Sequence, residues 1–261
     1  MSTTLMTGRA TKILLLNPNS SVSMTEGMKV VVDDVELPSS TEVYAYTAPS
    51  TAPASINDAE DIEQSRCAVL DDLTTERYDG IVVACYSVHP LVPALQALRG
   101  RNCAVTGIFQ ASVLTALSLV RHFYGGPEQW GIVTTGKFWE QHFIDGVQDF
   151  LGCSEDIASF AGVQSTGLNA SDFHGGVDPA VVRLKLKDAT KRLLDSGGVT
   201  VIVMGCAGMA GLELIIREAA MELRGEDFAY SKLHVVDGVR AGIMQVDHMI
   251  QNLRLRPGRK L

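Results

Sequence analysis

The sequence contains no C-x-x-C, and its five cysteines (67, 85, 103, 153 and 206) make an odd count in a chain of 261 residues. A disulfide framework of the kind that staples small secreted domains is therefore not expected. The six histidines never pair at metal-ligand spacing. The nearest approach, Asp172-x-His174 within DFHGG, reads as loop chemistry, so no metal is expected. No apolar run reaches the roughly 18 residues that cross a bilayer, and MSTTLMTGRATK lacks the apolar segment of a secretory leader. These absences predict a cytoplasmic protein. The Arg259-Lys260-Leu261 terminus is only loosely like a peroxisomal S-K-L address, with Arg where a small residue belongs, and a solvated basic end is the preferred reading. No basic stripe with interleaved aromatics offsets the formal charge of −8, which argues against nucleic acid or an anionic membrane as partner. Gly205, Gly208 and Gly211 are wrongly spaced for G-x-G-x-x-G and no G-x-x-x-x-G-K-[ST] occurs, so a nucleotide cofactor has little support.

What the chain does have is alternation. KILLLNP (12–18) reads as a strand buried on both faces, followed by helical spacing in VSMTEGMKVVVDDV and a second strand in VYAYTA. Residues 59–78 form an amphipathic helical pattern with Ile62, Val69, Leu70 and Leu73 on one face. Strand patterns return at DGIVVAC (79–85), CAVTGIF (103–109), QWGIVTT (129–135), VTVIVMGC (199–206) and KLHVVDG (232–238), with helical patterns between them. The segment between the helix ending at Gly152 and the helix of 179–198 is mixed in character. Such β–α alternation predicts an α/β protein with mainly parallel sheets.

The alternation also repeats. LLLNPNS recurs in kind as WGIVTTGK, and IVVACYS as VIVMGCAG; Cys85 and Cys206 are 121 positions apart, Asn17 and Thr134 117 apart. Two similar lobes would each set a polar loop and a thiol at the carboxyl ends of adjacent strands, where open α/β sheets bind ligands. Pseudo-twofold packing would turn both thiols toward one cleft. The predicted division is 1–110 plus 217–261 for the first lobe and 111–216 for the second.

A free cysteine is most often a small buried hydrophobe, and that reading suits Cys67, Cys103 and Cys153. Cys85 and Cys206 differ, because both stand at a strand-to-helix hinge. The unpaired N–H groups of a helix N-terminus lower a thiol pKa, so both are expected to be activated working groups. Small residues at Gly205-Cys206-Ala207-Gly208 would let a ligand approach backbone N–H groups closely. The loops Asn17-Pro18-Asn19-Ser20-Ser21 and Thr134-Thr135-Gly136 read either as turns or as ligand-binding loops, and the repeat favours the second reading.

LLLNPNSSVSMT, VVACYSVHPL, GIVTTGKF and VMGCAGMAG together resemble the aspartate/glutamate/hydantoin racemase superfamily, most closely its hydantoin racemase branch with the allantoin racemase-like proteins, over residues from about 12 to 245. The resemblance implies two pseudo-symmetric flavodoxin-like lobes with the site in the cleft between them, a homo-oligomer, and no cofactor. It implies that Cys85 and Cys206 are the catalytic thiols. It also implies that Asn17, Ser87, Thr134, Thr135, Gly205 and Ala207 hold the carboxylate or ring carbonyls of a small substrate. Gln110 stands where many hydantoin racemases carry an acidic residue, and Tyr-Ser after Cys85 departs from the branches that act on amino acids. Two thiols suit racemisation, in which one face of a carbon acid loses a proton and the other gains one. The expected activity is racemisation of a 5-substituted hydantoin, with allantoin favoured. The alternatives are a maleate-type cis–trans isomerase, a cysteine hydrolase using His89 as base, and a non-catalytic small-molecule sensor.

Overall fold

Ile13 to Leu16 carries no polar residue, and such a strand is stable only where both its faces are covered. In the computed structural model, which describes residues 10–73, 78–121, 128–153 and 157–255, this run lies in strand β1 (Thr11–Asn17), almost wholly buried. It is followed by α1 (Val22–Asp33), β2 (Thr41–Thr47), α2 (Ala59–Asp72), β3 (Gly80–Val83), α3 (Leu91–Arg99), β4 (Ala104–Gly107) and α4 (Ile108–Leu119). The second half repeats the series as β5 (Gln129–Thr134), α5 (Phe138–Leu151), β6 (Phe160–Ser165), α6 (Pro179–Leu194), β7 (Val199–Gly205), α7 (Glu213–Arg224), β8 (His234–Asp237) and α8 (Gly238–Arg254).

Two four-stranded sheets result, ordered β2-β1-β3-β4 and β6-β5-β7-β8, and every pairing in both is parallel. The same order in both sheets is the structural form of the repeat. In each sheet the two central strands are the apolar runs that carry the paired motifs, β1 and β3 in one and β5 and β7 in the other. All four therefore end on the same side of their sheet, and their loops cluster there.

The predicted lobe boundary at 217 is corrected. It falls inside α7, which packs on α6 and is tied to it by Lys187 bridging Glu218 and Glu222. Beyond α7, β8 pairs with β7 from Val201↔His234 to Met204↔Asp237. The second sheet thus extends to Asp237, because β7 needs a fourth strand on its open edge just as β3 needs β4. The return to the first lobe begins at Gly238 with α8, a helix beyond the last strand that the sequence reading does not include. Helix α8 lies over β3 and β4 of the first sheet, while α4 lies against β7 and β8 of the second, and the two helices pack on each other. Each lobe thus covers its sheet with a helix drawn from the other half of the chain. Close seating requires small residues: a Cβ on Gly242 of α8 would stand 2.7 Å from Val82 Cγ1. The mixed segment before α6 contains edge strand β6, where the register shifts between Trp130 and Ile132. Among the described residues no helix is long and apolar enough to cross a membrane.

Candidate active site

The four loops at the carboxyl ends of the central strands meet at one narrow cleft, part of it open to solvent. Cys85, two residues beyond β3, and Cys206, one beyond β7, both line it. Thr135, Gly205, Ala207 and Gly208 form one side with Cys206, and Asn19, Ala84 and Tyr86 stand with Cys85. Met24, Ile56, Trp139 and Ala170 complete an apolar wall. None of these residues carries a charged side chain.

Each sulfur accepts a local hydrogen bond, from a different kind of donor. Ser87 Oγ donates to Cys85 Sγ at 3.4 Å, whereas Gly208 N–H donates to Cys206 Sγ at 3.3 Å. The expectation that helix N-termini depress both thiol pKa values is not met. Helix α3 starts only at Leu91, and Cys206 caps a three-residue 3-10 turn, Ala207–Met209, well before α7. Burial therefore outweighs the local donors. It pushes the Cys85 thiol up to about 12, against the opposing Ser87 hydrogen bond and with a further rise from the charge of Cys206. Burial likewise pushes Cys206 up to about 11, opposed by the N–H groups of Gly208 and Met209. That charge coupling and the shared cleft mark the two sulfurs as neighbours. Both are thiols at neutral pH in this form, and the reactive thiolate becomes more abundant as pH rises.

Because the Cys85 donor is a side chain, its contribution can be removed. Ser87→Ala should slow alkylation of Cys85 by iodoacetamide at pH 8 about tenfold, the equivalent of one pKa unit, since a hydrogen bond to a charged group contributes about 1.5–3 kcal/mol. Alkylation of Cys206 in the same sample, quantified by peptide mass spectrometry, should not change. Equal slowing at both thiols would contradict a local effect.

Three of the residues expected to bind substrate brace the site instead. Asn17 is fully buried and does not line the cleft. The two hydrogens of its Nδ2 are shared among three acceptors, Asn19 Oδ1 at 3.0 Å, the Ser21 carbonyl at 3.2 Å and Thr25 Oγ1 at 2.9 Å, and its Oδ1 accepts from Asn19 N–H. Thr134 Oγ1 donates to the Gly205 carbonyl at 2.8 Å, pinning the ends of β5 and β7 together. Ser87 is buried against Cys85. Thr135, Gly205 and Ala207 do line the cleft with both thiols. Gly205 is required for packing: a Cβ there would lie 2.5 Å from Ile132 Cγ2 and 3.0 Å from the Val133 carbonyl oxygen.

Tyr86 and Trp139 are lining residues beyond the predicted set, and they knit the lobes. The Tyr86 ring meets Phe109 and Phe143 edge-on at 5.6 and 5.1 Å, and Trp139 stacks on Phe143 at 5.2 Å. Val88 N–H, in the loop after Cys85, donates to His142 Nε2 of α5 at 3.4 Å. The loop carrying the first thiol is thus held by a helix of the second lobe. Gln110 sits in the first turn of α4 beside Gly107, away from the cleft lining.

His89 is not placed to serve as a base. Its Nδ1 accepts the Leu91 N–H at 3.2 Å, so its proton sits on Nε2 and is donated to Ser65 Oγ at 2.9 Å. Burial lowers its pKa to about 3, and it does not line the cleft. The cysteine hydrolase reading loses its only local base. Asp172 is occupied in a capping box, where it accepts the Asn169 N–H at 2.8 Å. Among the described residues no group of three His, Cys, Asp or Glu side chains could hold a metal ion.

Two parallel four-stranded lobes related by an internal repeat, with one cysteine from each facing a shared cleft, define a two-thiol α/β protein. The family model described as Asp/Glu/Hydantoin racemase matches residues 13–246, and the chain belongs to that family. An uncharacterized protein of Schizosaccharomyces pombe is 33% identical over 234 residues, covering 89% of each chain. A hydantoin racemase of a Pseudomonas strain is 29% identical over 241 residues, covering 89% of this chain and 83% of its own. The crystal structure of allantoin racemase from Pseudomonas fluorescens shares the fold with a TM-score of 0.74 at 22% identity, covering 96% of this chain and 99% of that one.

Proposed function

We propose that the protein racemises a 5-substituted hydantoin, with allantoin the favoured substrate, by proton transfer between Cys85 and Cys206 across the substrate's C5. The observation that carries this reading is the pair of thiols, one from each repeat, lining a cleft with no charged side chain among its described lining residues. The C5 hydrogen of a hydantoin is adjacent to a carbonyl, so its loss gives an enolate. One sulfur, as thiolate, takes that proton; the other, as thiol, delivers its own to the opposite face, and the two exchange roles with the hand of the substrate. Thr135 and the backbone N–H groups of the Gly205–Gly208 turn are candidate donors to the developing oxyanion, an interaction that strengthens as charge forms. No net oxidation occurs and no other reactant is consumed.

The uncharged lining favours a neutral ring over the alternatives with full charges. The two carboxylates of maleate would be stripped of water with no cation to receive them, at a cost that buried carboxylates rarely bear unpaired. Relatives named as hydantoin racemases support the ring substrate. The reading is tested by following the optical rotation of enantiopure allantoin and of hydantoins with aliphatic and aromatic C5 groups, beside the absorbance of maleate. Decay of rotation with allantoin and unchanged maleate absorbance is expected. A flat trace across the panel with measurable ligand binding would favour a sensor.

A further inference from the structure

The loop after β1 fixes which end of the Asn19 side chain meets the cleft. Ser21 N–H can only donate, and it points at Asn19 Oδ1 from 2.9 Å. The Asn17 amide is oriented in turn by the Ser21 carbonyl, which can only accept, and it gives the same Oδ1 a second hydrogen bond at 3.0 Å. The carbonyl end of Asn19 is therefore committed to the loop. Its Nδ2 lies 3.3 Å from Met24 Sδ, a weak acceptor that itself lines the cleft. An amide nitrogen carries two hydrogens, and Met24 engages one. Asn19 is buried and lines the cleft on the side of the first lobe.

On the reading of the site given above, we propose that Asn19 is a catalytic residue whose Nδ2–H donates to the enolate oxygen formed when C5 loses its proton. Three features suit it to this task. The donor is neutral, matching a site that receives a neutral ring. It is held before substrate arrives, so little reorganisation accompanies the reaction. Its hydrogen bond strengthens as the carbonyl oxygen becomes an enolate oxygen, so the gain falls on the transition state rather than on binding. Asn17 then acts one step back, as the positioning residue that aims this amide.

The test compares Asn19→Asp and Asn19→Ala with the native protein. Exchange of the C5 hydrogens of unsubstituted hydantoin for deuterium is followed by NMR in D2O, and melting temperatures are recorded alongside. A carboxylate keeps both loop acceptances but replaces the donor with a negative oxygen; alanine loses both functions. A donor role predicts that N19D falls about 10²–10³-fold in kcat, further than N19A, with a smaller change in KM. It also predicts recovery of N19D as pH is lowered and its carboxyl regains a hydrogen to donate. A merely structural role predicts the reverse order, since only N19D keeps the loop bonded, and that order would overturn the proposal while leaving the two-thiol reading intact. If N19D does not fold, a loss below about tenfold in N19A overturns it equally. Absence of exchange in the native protein would overturn both this proposal and the reading beneath it.

Discussion

Replacing either Cys85 or Cys206 with serine abolishes racemisation of the substrate, by at least the 10²–10⁴-fold that a positioned acid or base contributes. A serine hydroxyl is far less acidic than a thiol, so it neither loses its proton to become the base nor gives one up readily to an enolate. The two losses are not equivalent in what remains. Each variant keeps one working sulfur on one face of the ring, and so exchanges the C5 hydrogen of the enantiomer presented to that sulfur without inverting it. Polarimetry and deuterium NMR on the same sample separate the two outcomes: a constant rotation together with deuterium incorporation for one hand only. The exchanged hand should be opposite in the two variants, because Cys85 and Cys206 come from opposite lobes. Full racemase activity in either variant would contradict the division of labour.

Asn17→Ala is expected to have the largest effect on stability of any change in the loops, although the residue does not touch the cleft. Asn17 is 0% exposed; its two amide hydrogens serve three acceptors and its Oδ1 accepts one N–H. Alanine would leave Asn19 N–H and one side of Asn19 Oδ1 unpaired, while Ser21 O and Thr25 Oγ1 retain other partners in each other and in Thr47. Leaving one or two buried polar groups unsatisfied costs about 2–4 kcal/mol. At roughly 2–4 °C per kcal/mol for a chain of this size, the melting temperature should fall by about 5–15 °C. Activity should fall with it even where the protein remains folded, since the Asn19 amide loses its guide. A melting temperature within about 2 °C of native would show that the network contributes little.

The difference between Asn17 and Asn19 also marks where the sequence stops being informative. Both lie in the same quoted motif, but the last residue of a buried strand and the residue two further on serve different sides of one loop. Only the hydrogen bonds say which faces the ligand. Cys85, Cys206, Thr135, Gly205 and Ala207 were legible because the repeat places them in matching loops at strand ends, and parallel topology brings those ends together. Ile56, Trp139 and Ala170 reach the cleft from elements with no motif of their own, so no local signal points to them. β6 escapes a strand reading because FAGVQS is an edge strand whose Gly162 stands at φ 93, which dilutes its pattern. The final helix is a different case. Val239, Ile243, Val246 and Ile250 give a helical stripe that is visible in the sequence, and they are buried in the structure. The half-buried setting of the thiols was not visible, and the desolvation it brings reverses the direction in which their pKa values move.

Enantiopure allantoin incubated with the native protein in D2O, and sampled while only a small fraction has inverted, tests the account most directly. Two sulfurs on opposite faces predict deuterium at C5 of the inverted product and retained protium in the remaining substrate, since the hydrogen delivered comes from the thiol that did not remove the first. Inverted product that still carries the original hydrogen would mean that a single group serves both faces, and would contradict the account.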